Sequence, residues 1–133
     1  MSVGLLIITH GEIGRSLLAT ATRIFGGRCP LRAAVLPVYE EVKRDELRKQ
    51  AAQLLEQLDS GGGVLVLTDL FGATPANIAQ ELRERGKTAL LTGMNLPMLV
   101  RLFNYADLSL EALSAKAASG GRDGVILCGN PGQ

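Results

Sequence analysis

One imidazole is present in the sequence, His10, and it stands where an apolar run stops. Val3-Gly4-Leu5-Leu6-Ile7-Ile8-Thr9-His10-Gly11 has the pattern of a buried strand that ends in two polar residues and a glycine. A ring that titrates near neutrality is thereby held at a strand tip, where open α/β sheets place their chemistry. Such a ring is a nucleophile or a general base. Taken alone, a single histidine also reads as a structural residue. With one histidine in 133 residues, any imidazole chemistry must happen here.

A partner is available at a second tip. The apolar run 63–68 passes into Asp69-Leu70-Phe71-Gly72-Ala73-Thr74-Pro75-Ala76-Asn77, a strand-to-helix turn. A carboxylate that accepts a hydrogen bond from one ring nitrogen fixes the tautomer and leaves the other nitrogen free to attack. Asp69 also reads as a plain turn or capping residue. Gly72 permits unusual backbone angles, Thr74 is a natural N-cap, and Pro75 suits the first helical turn. The unpaired N–H groups and positive dipole end of that helix suit an anion such as a phosphoryl group. Capping alone accounts for Thr74-Pro75; the combination with His10 is what makes an anion site. A third tip, Thr92-Gly93-Met94-Asn95, follows the run 88–92. Thr9, Gly11, Thr68, Phe71, Gly93 and Asn95 are thus expected to line one site around His10 and Asp69. Arg15, just inside the first helix, reads as an exposed helical arginine or as a residue facing an incoming protein.

The elements that must position these residues alternate along the chain. Strands are expected at 3–9, 32–38, 63–68, 88–92 and 125–128, most of them near-continuous apolar runs suited to burial on both faces. Helical spacing relates Ile13, Leu17, Ala21, Ile24 and Phe25, and then Leu47, Ala51, Leu54, Leu55 and Leu58. Further helices begin near Pro75 and Pro97, and a fifth covers about 109–119, ended by Gly120-Gly121. Strand followed by helix, repeated without a long linker, predicts an α/β fold with a doubly wound parallel sheet. Length and composition fit one domain over 1–133, with fraying at 129–133.

Composition excludes several classes. Formal net charge is +1, from 14 Lys/Arg against 13 Asp/Glu, so no bulk field draws nucleic acid. Aromatics are 4% with no Trp, too few for a base-stacking platform. No apolar run is long enough to span a bilayer and the N-terminus has no secretory pattern, so the expected location is the cytoplasm. Cys29 and Cys128 read as isolated reduced thiols, and with one histidine they form no zinc set; no metal is expected. Gly86-Lys87-Thr88 follows a helix and enters a strand, the reverse of a P-loop, and Glu81 occupies the required earlier glycine. Neither G-x-G-x-x-G nor G-x-S-x-G is present.

Three segments taken in order, Ile7-Ile8-Thr9-His10-Gly11, 64–77 and 91–99, resemble the mannose-type enzyme IIA family of the bacterial phosphoenolpyruvate:sugar phosphotransferase system. The resemblance runs from residue 3 to about residue 126. It implies a three-layer sandwich of four parallel strands plus a C-terminal edge strand, here 125–128, exchanged between the subunits of a homodimer. It implies that His10 accepts phosphate from the phosphocarrier protein HPr and passes it to a IIB protein or domain, with no cofactor. Asp69 matches the aspartate that hydrogen-bonds the active histidine, and Thr74 stands where the family usually has serine. The common Gly-Gly-Ser-Pro reads Gly72-Ala73-Thr74-Pro75 here, so Ala73 removes some backbone freedom. No IIB domain is expected within the 133 residues. Two other roles use the same residues: a regulatory phosphorylation sensor without transport, and the phosphodonor subunit of a dihydroxyacetone kinase.

Overall fold

The computed structural model describes residues 2–129. Its elements run β1 (Gly4–His10), α1 (Ile13–Ile24), β2 (Ala33–Val38), α2 (Arg44–Leu58), β3 (Val64–Thr68), α3 (Thr74–Leu82), β4 (Thr88–Leu91), α4 (Leu96–Asn104) and α5 (Leu110–Asp123). The strands form one parallel sheet in the order β2-β1-β3-β4.

The strands are largely apolar because helices cover both faces, with polar residues at their ends. On β1, Leu5 and Ile7 pack with α1, α4 and α5, while Leu6 and Ile8 pack with α2 and α3. All four side chains are fully buried, about 1.5–3 kcal/mol of transfer free energy each. Gly4 opens this strand because a Cβ would lie 2.5 Å from the Leu58 carbonyl oxygen at the end of α2. From β1 the chain passes through α1 to β2 on one side; β3 pairs with the other side of β1 and leads into α3 on the opposite face. The sheet therefore has its topological switch between β1 and β3, where a crevice opens at the carboxyl ends of the strands. His10 ends β1 and Asp69 follows β3.

Two expectations about helix ends are corrected, and the C-terminal segment is not paired within a single chain. Residues 125–128 form no strand, and Val125, Ile126 and Leu127 are exposed. Their apolar content signals a need for cover, and among the described residues they stay largely uncovered. The fifth helix runs through Gly120-Gly121 to Asp123. Those glycines admit α4 to close range: a Cβ on Gly120 would lie 2.5 Å from Arg101 Cβ, and one on Gly121 2.9 Å from Met98 Cε. Gly120→Ala is accordingly expected to destabilise the fold by about 1–3 kcal/mol through overpacking, read as a lower urea midpoint at unchanged slope. Finally, Thr74 is the first residue of α3 and not its cap; Ala73, extended at φ −86° and ψ 169°, occupies that position without a side-chain cap.

Cys29 is half-buried and Cys128 exposed, and both are free thiols. The fraying expected beyond Gly129 concerns residues outside those described. Among the described residues, no helix is long and apolar enough to cross a membrane.

Candidate functional site

Two adjacent strands bring together residues 59 positions apart. His10 Nδ1 lies 2.8 Å from Asp69 Oδ2, and the His10 backbone N–H donates to the same oxygen at 3.2 Å. An ionised carboxylate only accepts, so Nδ1 carries the proton and the lone pair belongs to Nε2. The imidazole side chain is 47% exposed and that of Asp69 12%, so a shielded carboxylate stands behind an open ring. Asp69 Oδ1 is buried and accepts no hydrogen bond among the described residues. The carboxylate's one strong partner is thus the histidine, with backbone and ring oriented together.

The chain beyond each tip follows from local geometry. Gly11 N–H donates to Val38 O at 2.9 Å, extending the β1–β2 ladder one residue past His10, and Gly11 then turns at φ 45° into α1. Thr9 is fully buried and its Oγ1 accepts from Gly14 N–H at 2.9 Å, anchoring the start of α1. Thr68 is also fully buried, its Oγ1 without a partner among the described residues. After Asp69, Gly72 turns at φ 85°, a conformation suited to glycine, and delivers the chain to α3. The first bond closing that helix is Asn77 N–H to Ala73 O at 3.0 Å. Thr74 and Ala76 N–H thus lack intrahelical acceptors, and Pro75 has no N–H to offer. With no side-chain cap on this helix, the half-buried Thr74 hydroxyl is not spent on capping.

The third tip is less directly placed. Met94 N–H donates to Thr68 O at 3.0 Å, holding the β4–α4 loop against the end of β3. Asn95 caps α4, accepting from Met98 N–H at 2.9 Å and donating to Gly121 O at 3.0 Å. Gly93, Asn95 and the 72% exposed Phe71 line a groove of about 840 Å³ along the open edge of β4, and His10 is not among its lining residues. Among the described residues, no cluster of His, Cys, Asp and Glu is arranged to hold a metal ion.

Glu12 and Tyr39, which nothing in the sequence pattern singles out, lie at the rim. Tyr39 O–H donates to Glu12 Oε2, and Arg15 Nη1 pairs with Glu12 Oε1 at 3.2 Å. The available signal is that Tyr39 follows β2 directly, at the same sheet end as His10.

Residues 4–118 match the family model described as the PTS system fructose IIA component. The chain is 33% identical over 128 residues to the mannose-specific EIIAB component of Escherichia coli K12, covering 94% of this chain and 39% of that protein. It therefore spans about two-fifths of that relative's length. It is 28% identical over 117 residues to the transcriptional regulatory protein LevR of Bacillus subtilis, covering 84% of this chain and 12% of that protein. Among solved structures, the mannose/sorbose-specific IIA subunit from Enterococcus faecalis superposes with a TM-score of 0.86 at 24% identity, covering 98% of both chains. The chain belongs to the mannose/fructose-type enzyme IIA family of the bacterial phosphotransferase system, whose members are phosphotransferase components.

Proposed function

We propose that this protein is a phosphoryl carrier that takes phosphate from phospho-HPr on His10 and hands it to a IIB component for sugar uptake. The observation that carries the reading is the 2.8 Å contact from His10 Nδ1 to Asp69 Oδ2 behind an open ring. That contact leaves the Nε2 lone pair as the nucleophile. In the transfer an Nε2–P bond forms, the N–P bond of the donor's phosphohistidine breaks, and its electron pair returns to the donor's ring nitrogen. Asp69 offsets the positive charge that grows on the His10 ring. The incoming group brings roughly −1.5 to −2 charge, met by the amides at the start of α3 and the Thr74 hydroxyl, with Gly72 and Ala73 shaping the approach. The chemistry requires no nucleotide, metal or other cofactor, and positioning supplies most of the catalysis. Residues 1–133 act as one IIA domain in the cytoplasm.

Incubation with radiolabelled phosphoenolpyruvate, enzyme I and HPr tests the reading. Stoichiometric label that is acid-labile and alkali-stable is expected; absence of label overturns it.

A homodimer belongs to the same proposal. The exposed Val125-Ile126-Leu127 segment of one copy would extend the open edge of β4 in another, burying apolar surface and pairing free backbone groups at once. Ile126→Asp is expected to shift a dimer toward monomer in analytical ultracentrifugation; a wild-type chain that sediments as a monomer at micromolar concentration removes this part.

A second reading, a regulatory sensor phosphorylated at His10, is favoured by the likeness to a transcriptional regulatory protein. Phosphate that discharges onto a IIB protein supports the carrier; label that stays on His10 in its presence supports the sensor.

A further inference from the structure

The turn carrying His10 is tied to the end of β2 by side chains that the transfer reading leaves unused. Tyr39 donates its phenol O–H to Glu12 Oε2, and Arg15 Nη1 donates to the same carboxylate at 3.2 Å and 3.4 Å. The phenol ring also lies beside the turn: a Cβ on Gly11 would sit 3.7 Å from Tyr39 Cε1, in ordinary contact. Tyr39 therefore flanks the residue after His10 and bonds the side chain of the one after that.

Backbone bonds hold the two sides of this turn, Gly11 N–H to Val38 O at 2.9 Å and Ser16 N–H to Glu12 O at 3.0 Å, and the tie adds a side-chain hold between them. Only Gly11 and Glu12 separate His10 from α1, and Gly11, at φ 45° with no Cβ, is an easily deformed joint. Glu12 occupies the N-cap position of α1 without a side-chain capping bond; its carboxylate goes to Tyr39 and Arg15 instead. Asp69 fixes the ring at one nitrogen, so a shift of the turn pivots Nε2 about that contact. Misplacement of a reacting atom by about 1 Å costs as much as 10²-fold in rate.

The protonation states favour a durable tie. The Tyr39 hydrogen bond, and then those of Arg15, hold Glu12 below its ordinary carboxylate value against the opposing effect of desolvation. Bonding to Glu12 raises the Tyr39 phenol, burial and Glu41 add to this, and Arg15 opposes it. The bond is lost only as pH falls through the lowered Glu12 value or rises through the raised Tyr39 value, and so spans neutrality.

We infer that Tyr39 and Glu12 are positioning residues for the His10 reaction, holding the His10–Gly11–Glu12 turn so that Nε2 stays in line for transfer. The inference rests on His10 being the phosphoryl acceptor.

Single-turnover phosphorylation of the full chain by phospho-HPr, paired with nitrogen-15 imidazole spectra of the one histidine, tests it. Tyr39→Phe keeps the ring against Gly11 and removes only the donor. Its maximal transfer rate is expected to fall about tenfold with half-saturation by HPr unchanged, as for an interaction realised in the transition state. Its imidazole resonances are expected to broaden or shift. Glu12→Gln still accepts from the phenol and is expected to stay within roughly twofold of wild type. Glu12→Ala should match Tyr39→Phe, and the double variant should be no slower than either, because the two residues act through one bond. Wild-type rates in Tyr39→Phe and Glu12→Ala, losses that add in the double variant, or a loss confined to half-saturation would each overturn the inference while His10 phosphorylation stands. A wild-type chain that takes no label, or a His10→Ala variant that does, removes both.

Discussion

Replacing His10 with alanine is expected to abolish phosphorylation by phospho-HPr, a loss of about 10³-fold or more, equivalent to ~4 kcal/mol of barrier. No second imidazole exists to substitute. Folding should survive, since the side chain is nearly half exposed and its hydrogen bond is to Asp69 alone. Loss of that bond to a shielded carboxylate costs the native state about 1.5–3 kcal/mol, visible as a fall in urea midpoint. The linkage makes the result specific: a phosphohistidine is stable in alkali and labile in acid, whereas an acyl phosphate on Asp69 would be lost in alkali. Label that persists in His10→Ala with either signature would move the acceptor elsewhere.

How far the site was legible follows from which signals are local. His10 and Asp69 both end or follow apolar runs, and a parallel sheet sets the ends of its strands along one edge, so their convergence could be read from strand order. Thr74 reads as a cap from its type and the proline after it; Ala73 takes that position because the Gly72 turn brings the chain to the helix one residue earlier. Gly120-Gly121 reads as a terminator, since paired glycines commonly stop helices. Their service here is to let Arg101 and Met98 of α4 approach, a contact with no trace in local sequence. The segment 125–128 is the same kind of case: hydrophobicity says that it needs cover, and period says nothing about which surface provides it. Tyr39 and Glu12 meet across 27 residues with neither carrying a pattern of its own. What is readable, then, is what backbone topology dictates, the meeting of His10 and Asp69 included; side-chain meetings that topology does not dictate are not.

Asp69 allows charge and geometry to be separated at one position. Its Oδ2 accepts from both the His10 backbone N–H and Nδ1–H, so in Asp69→Asn the amide oxygen must take that place to keep either bond. The productive tautomer therefore survives and only the charge is removed. Charge-assisted hydrogen bonds are roughly twice as strong as neutral ones, so the loss is ~1–1.5 kcal/mol, about tenfold in transfer rate. The amide nitrogen falls where Oδ1 is buried without a partner, which adds a stability cost of about 1–3 kcal/mol. Asp69→Ala removes tautomer control as well, and its rate should fall by about 10²–10³-fold. Stopped-flow transfer from phospho-HPr and urea unfolding read the two effects independently: alanine is expected to be the slower enzyme, and asparagine to lose stability beyond what its modest rate defect suggests. Equal rates for wild type and Asp69→Ala would reduce Asp69 to a turn residue, and equal defects in both variants would mean that the carboxylate acts through its charge alone.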